Sequence, residues 1–419
     1  MKEFNVTGLC IPEKHFMVDI SNKIDKISHM VDKGAYFTIN KPRQFGKTTT
    51  FYQLVEKLSR KYIVLDVSFE GIGDDVFETE EKFCSNIFKI FARNVKYTNK
   101  DLHQKLKNYI GLTKSFNDLS INITSIIESY DKDMVLIIDE VDKSSGNRVF
   151  MQFLGMLRNK YLSMNAKKDI SFKSVILGGV NDIKNIKLKV RDEKDRVFNS
   201  PWNVAADFKV DMSFYPEEIE TMLNEYSDET GINMDVNLIA HEIYSYTNGY
   251  PYLVSRLCKN IDEYIDKNWT IEGLQMAIKM TLNEHNTLFD DVIKNIENYE
   301  EIKNVVNEIL VYGRQVSYNP FAYEKGIMYG ILTENDGKLV VYNKIFESLL
   351  YDYLIAQNEL QRLSANFIEV DKNEVIYDEK LNMEKVLIKF QQFMYEQYRE
   401  EDEHFYEANG MVRSIIKKE

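Results

Sequence analysis

Gly46, Lys47 and Thr48 are consecutive, and they follow an apolar β-type run, Ala35 to Asn40, across the loop Lys41-Pro42-Arg43-Gln44-Phe45. A strand that enters a helix through such a loop suits the holding of a phosphate. Main-chain N–H groups of the loop and of the first helical turn, which includes Thr49, point at a β-phosphate. Gly46 lets the backbone approach without a Cβ, Lys47 reaches the β- and γ-phosphates, and the Thr48 hydroxyl ligates magnesium. The complete pattern carries its first glycine at the position held by Lys41. Lysine there requires an allowed backbone conformation or a slightly remodelled loop.

A second group completes the chemistry. Met134-Val135-Leu136-Ile137-Ile138 is an apolar strand that ends in Asp139 and Glu140. An acid at such a tip, beside the phosphate loop, holds magnesium through water, and Glu140 is placed to polarise an attacking water as general base. Asn181 follows a further β-type run and is a candidate to orient that water, although Asn181-Asp182 also suits a turn. Arg191 and Arg196 lie in a charged stretch. They are candidates for an arginine finger, and a solvated loop is the simpler reading.

The elements that must position these residues are legible as an alternation. Strands are predicted over Ala35–Asn40, Tyr62–Phe69, Met134–Asp139, Phe172–Val180 and Phe208–Phe214. Helices are predicted over Thr48–Lys61, Phe83–Val95, Asp118–Asp131 and Asn147–Met164, with a loop over Lys184–Val204. Val-, Ile- and Leu-rich strands separated by helices indicate an α/β domain whose parallel sheet is covered on both faces. An intervening strand between the two phosphate motifs is the mark of the additional-strand class of P-loop ATPases. After Phe214 the chain reads as helical from Tyr215-Pro216-Glu217-Glu218 to about Lys294, interrupted at Asn248-Gly249-Tyr250-Pro251. A helix over Glu300–Tyr312, a hairpin turning at Asn335-Asp336-Gly337 and a helix from Lys344 suggest a winged helix. A further helix is predicted from Met383 to about Arg399.

Composition narrows the function. The net charge of −13 disfavours nucleic acid as a partner but not a phosphate held by local dipoles and one lysine. No apolar run approaches the roughly 20 residues of a membrane span, and the first residues lack a signal-peptide pattern, so a cytoplasmic protein is expected. The three cysteines, Cys10, Cys84 and Cys258, are far apart and form no metal-ligand pair.

The segments Tyr36–Thr50, Leu136–Glu140, Asn199-Ser200-Pro201-Trp202-Asn203-Val204-Ala205 and Thr247-Asn248-Gly249-Tyr250-Pro251-Tyr252-Leu253 resemble the bacterial AAA-like domain family, related to origin-recognition-type and signal-transduction ATPases. In that family a non-glycine at the Lys41 position is normal. The resemblance spans roughly residues 4 to 360. It implies a sheet in order 5-1-4-3-2, a helical lid that closes over the nucleotide, and then a winged-helix domain. It also implies that Pro251 fixes a lid turn near the nucleotide, and that Met17 and Val18 fall where relatives hold adenine. The corresponding domains are residues 1–212, 213–294, 295–362 and 363–419. The last, with Leu381–Leu387, Phe390–Tyr395 and Asp402–Glu407, resembles the beginning of a PD-(D/E)XK nuclease-like domain. The sheet that carries nuclease acids does not follow in this sequence, so no nuclease activity is expected.

The expected function is that of an ATP- and magnesium-binding protein, a slow ATPase whose hydrolysis moves its lid and winged helix. Two alternatives use the same residues. One is a nucleotide-dependent switch for a protein partner with little hydrolysis. The other is a DNA-binding regulator, against which stands the segment Pro320–Ile327, with one lysine and one acid.

Overall fold

The computed structural model describes residues 2–144, 147–180, 188–189, 197–198, 201–364, 376–377, 380–381, 383–385, 387–388 and 390–391. The chain divides into two compact units, Met1–Ile302 with Ser317–Ser348, and Lys303–Val316 with Leu349–Glu419. Among the described residues no helix is long and apolar enough to cross a membrane.

The larger unit is built on a four-stranded sheet of β1 (Phe37–Asn40), β2 (Ile63–Ser68), β3 (Met134–Asp139) and β4 (Ser174–Gly179), in order β1-β4-β3-β2. Every pairing is parallel. All residues of β3 and β4 are buried, whereas β2 at the edge is half open. Continuous apolar runs in the central strands are what burial on both faces demands. Helices α3 (Glu80–Asn94), α5 (Phe116–Glu128) and α6 (Arg148–Asn165) supply much of the core against this sheet, with Phe83, Ile87, Phe150 and Phe153 among its fully buried side chains. Thr79, Ser115 and Asn147 cap these helices through their side chains.

The strand expected over Phe208–Phe214 does not form. The chain meets the start of β1 in an isolated bridge at Ala206, whose N–H donates to the Tyr36 carbonyl at 2.7 Å. The alternation of Phe208, Val210 and Met212 imitates a strand. The Asp211 carboxylate instead accepts from the Ser213 N–H at 3.0 Å and the Tyr215 hydroxyl at 2.7 Å, which turns the chain into the next helix. Within the expected loop Lys184–Val204, Leu188–Lys189 and Val197–Phe198 pair antiparallel. Helices α1 (Ser21–Asp32) and α4 (Lys100–Asn108) have no counterpart in the sequence reading.

Five helices follow: α7 (Pro216–Thr230), α8 (Val236–Thr247), α9 (Pro251–Tyr264), α10 (Ile271–Leu282) and α11 (Thr287–Asn298). Between α8 and α9 the chain reverses at Asn248 and Gly249, both left-handed, with φ of 47° and 67°. The hairpin Leu332–Asn335 with Lys338–Val341 turns through Asp336 and Gly337 at φ of 50° and 75°, the geometry an Asp-Gly pair favours. In the smaller unit Lys303 Nζ donates to Gln357 Oε1 at 2.8 Å, and Arg314 pairs with Glu308 at 2.9 Å. Of the helix expected over Met383–Arg399, residues 383–385, 387–388 and 390–391 are described, and they are helical.

Candidate functional site

The loop between β1 and α2 (Lys47–Leu58) is shaped by two left-handed residues, Gln44 at φ 56° and Gly46 at φ 76°. Gly46 is followed directly by helical Lys47, and a left-handed residue beside a right-handed one is the main-chain arrangement that can converge N–H groups on an anion. Helix α2 begins at Gly46 without a side-chain cap, so its first amides are open to a ligand. Lys41 is not among the left-handed residues, and its N–H continues the strand ladder to the Gly179 carbonyl at 3.1 Å. A residue outside the left-handed region accepts a side chain without strain, so the loop needs no glycine there.

Lys47 is buried, and its ammonium donates to the carbonyls of Lys41 and Pro42, both at 2.9 Å. Burial lowers its pKa, while Asp139, Glu140 and Asp142 raise it. Asp139 is buried at the end of β3, and its Oδ1 accepts from the Glu140 N–H at 2.8 Å. Burial raises its pKa; that N–H and Lys47 oppose the rise. Glu140 stands half-buried in a left-handed conformation, φ 56°, with its pKa raised by burial and then by the charge of Asp139. A non-glycine residue held there is strained, and such residues cluster at functional sites. Thr48 is exposed in the first turn of α2. Thr49 faces elsewhere, accepting from the Cys10 N–H at 3.2 Å.

The structure therefore brings Lys47, Asp139 and Glu140 into one electrostatic group, with the loop 41–46 around it. Asn181, Arg191 and Arg196 lie outside the described residues. Val18 is buried and Met17 half-buried, in a segment whose aromatic neighbours, Phe4 and Phe16, pack on Tyr226 of α7 with ring centroids 5.1 and 5.2 Å away. The hydrogen bond from this segment to α2 comes from Cys10.

Several residues at the site carry no motif. Asp142 accepts from the Val180 N–H at 2.6 Å and adds negative charge beside Lys47. Gly178 and Gly179 end β4 where a Cβ has no room: at 178 it would lie 2.4 Å from the Phe51 ring and 2.7 Å from Asp139 Oδ1. Half-buried Asp66 on β2 has its carboxyl pushed up to about 6, by burial first and then by Asp139. The one signal in the sequence is the Gly-Gly pair at a strand end, which marks a close approach.

The turn between α8 and α9 rests on the loop. A Cβ on Gly46 would stand 3.8 Å from Pro251 Cβ. The Tyr250 hydroxyl donates to the Arg43 carbonyl at 2.6 Å, and its ring meets Phe45 edge-on at 4.9 Å. Gln44 Nε2 donates to Thr287 Oγ1 at 2.7 Å, and Arg43 faces Asp291 at 3.4 Å. Pro42 packs where a side chain on Gly330 would intrude, 2.5 Å from its Cγ. Gly249 anchors the turn: Phe214 N–H donates to its carbonyl at 2.8 Å, and an added Cβ would lie 2.2 Å from the Phe214 oxygen. Gly249→Ala is expected to lower stability by about 2–4 kcal/mol. Thermal unfolding reads this, and an unchanged midpoint would contradict the placement of the turn.

Similar folds are known. The chain is similar to the Walker-type ATPase PABY2304 of Pyrococcus abyssi, at 13% identity and a TM-score of 0.54, over 83% of this chain and 99% of that one. It is also similar to the ORC2 protein of Aeropyrum pernix, at 10% identity and a TM-score of 0.44, over 82% of this chain and 94% of that one. No curated protein matches its sequence. The AAA-like domain family matches residues 13–352. The chain belongs to the AAA-like domain family.

Proposed function

We propose that this protein binds ATP with magnesium at residues 41–49 and hydrolyses it slowly. The observation that carries the reading is the nest of the loop, with left-handed Gln44 and Gly46, opening onto an uncapped helix and a buried lysine. Among the described residues no group of three or more His, Cys, Asp or Glu side chains is placed to hold a metal by itself. Magnesium on a nucleotide needs only one or two protein oxygens, and Asp139 with Thr48 fits that need. These two residues would hold the ion, which when bound neutralises and orients the β- and γ-phosphates.

The chain's own residues then divide the work. The loop amides hold the β-phosphate. Lys47 exchanges two neutral carbonyl partners for phosphate oxygens, which make stronger charge-assisted bonds. Glu140 accepts the proton of the attacking water, and Asn181 orients that water. Pro251, stacked on Gly46, transmits the state of the loop to the lid, and Met17 and Val18 line the adenine side.

In this reading residues 1–212 form the core, with the stretch at Ala206 in the fifth strand position. Residues 213–294 form the lid, 295–362 a winged-helix-like domain and 363–419 a nuclease-like remnant. A protein partner would read the lid position.

The experiment is thermal unfolding with ATP, with and without magnesium. A ligand at about 100 times its Kd stabilises by about 2.7 kcal/mol, a shift of several degrees, and chelation of magnesium should remove much of it. An unchanged midpoint at millimolar ATP and magnesium would refute the reading.

A further inference from the structure

Tyr250 is fully buried, its ring enclosed by Phe45 at 4.9 Å, Phe346 at 5.4 Å and Tyr342 at 5.8 Å. Its hydroxyl reaches across from the start of α9 to one main-chain carbonyl, that of Arg43. The loop carbonyls thus divide: those of Lys41 and Pro42 face Lys47, and that of Arg43 faces the lid turn. In a planar trans peptide the C=O and the following N–H point in opposite directions. Holding the Arg43 oxygen toward Tyr250 therefore aims the Gln44 N–H away from the lid. Gln44 is also one of the two left-handed residues that make the nest, and its side chain is tied to Thr287 at 2.7 Å.

We propose that Tyr250 is a positioning residue for the phosphate loop, setting the 43–44 peptide so that the loop takes a β-phosphate only while the lid turn is docked. This rests on the nucleotide reading above. It adds that the docked lid turn builds part of the phosphate site itself. Without the hydroxyl the Arg43 carbonyl loses its buried donor, and the peptide is free to rotate its N–H out of the nest. Phosphate affinity then falls, while the apolar enclosure of the ring is kept.

Tyr250→Phe tests this in the full chain. Calorimetric titration with ADP, which has a β-phosphate, and AMP, which lacks one, compares wild type, Tyr250→Phe and Thr287→Val. The expected result for Tyr250→Phe is about tenfold weaker ADP binding with AMP binding unchanged. Thr287→Val, which frees the Gln44 side chain but leaves the bond to the Arg43 carbonyl, should show a smaller loss of ADP affinity. Equal ADP affinity in wild type and Tyr250→Phe overturns the inference alone. A parallel loss for ADP and AMP also overturns it, because a general loosening of the fold would act on both. If the wild type takes up no ADP, the nucleotide reading falls and the inference with it.

Discussion

Glu140→Gln retains ATP and slows its hydrolysis by roughly 10²–10⁴-fold, the usual contribution of a general base. The amide keeps the size of the side chain, so the left-handed turn at φ 56° and the Asp139 contact to the residue-140 N–H survive. It cannot accept the proton of water. Burial and the charge of Asp139 raise the pKa of Glu140, and a base works only when deprotonated. Wild-type hydrolysis should therefore fall as the pH drops through that raised value, and the glutamine variant should show no such limb. A single-turnover assay with radiolabelled ATP reads both. Turnover at the wild-type rate would remove Glu140 from the mechanism. Uncleaved ATP retained for hours by the wild type would favour the switch over the ATPase.

Lys47→Ala has the second large effect, on binding. The ammonium is the cation held by the loop carbonyls at 2.9 Å, and it offsets Asp139, Glu140 and Asp142. Removing it leaves two carbonyls without their donor and three acids facing the phosphates. A lost charged hydrogen-bond partner is worth about 1.5–3 kcal/mol, and the repulsion adds to that. ADP affinity should fall about 100-fold. The unliganded protein should keep its cooperative unfolding, because α2 is buried mainly through Phe51, Leu54 and Leu58. ADP affinity within a few-fold of wild type would place the phosphate elsewhere.

The parts of the site that lie on the central strands were legible in the sequence for a physical reason. Strands buried on both faces must be apolar throughout, and β3 ends at Asp139, where its apolar run meets an acid. The glycine-lysine-threonine step is equally local, since a left-handed cap and a lysine one residue later are neighbours in sequence as in space. Lys41 needed the fold for its explanation: its N–H pairs with Gly179, far along the chain. The edge of the sheet was misread because Phe208, Val210 and Met212 alternate as a strand does. The Asp211 carboxylate overrides that pattern through a local bond no periodicity reveals.

The contacts that the later helices make with the loop were out of reach for another reason. Tyr250 and Arg43 are 207 residues apart, and Gln44 and Thr287 are 243 apart. A hydroxyl that meets one particular carbonyl leaves no trace in residue type. The turn itself was visible, because Asn248, Gly249 and Pro251 are punctuation, but its partner was not. Asp66 and the Gly178-Gly179 pair join the site through the sheet register, which sets β2, β3 and β4 side by side, and Asp142 joins it through the turn that follows β3.

Amide hydrogen exchange of the full chain, with and without ADP and magnesium, tests the location of the site most directly. Protection is expected in residues 41–49, with a second protected segment at the turn between α8 and α9, 247–253. Exchange unchanged in residues 41–49 at saturating nucleotide, with protection confined to another region, would contradict it.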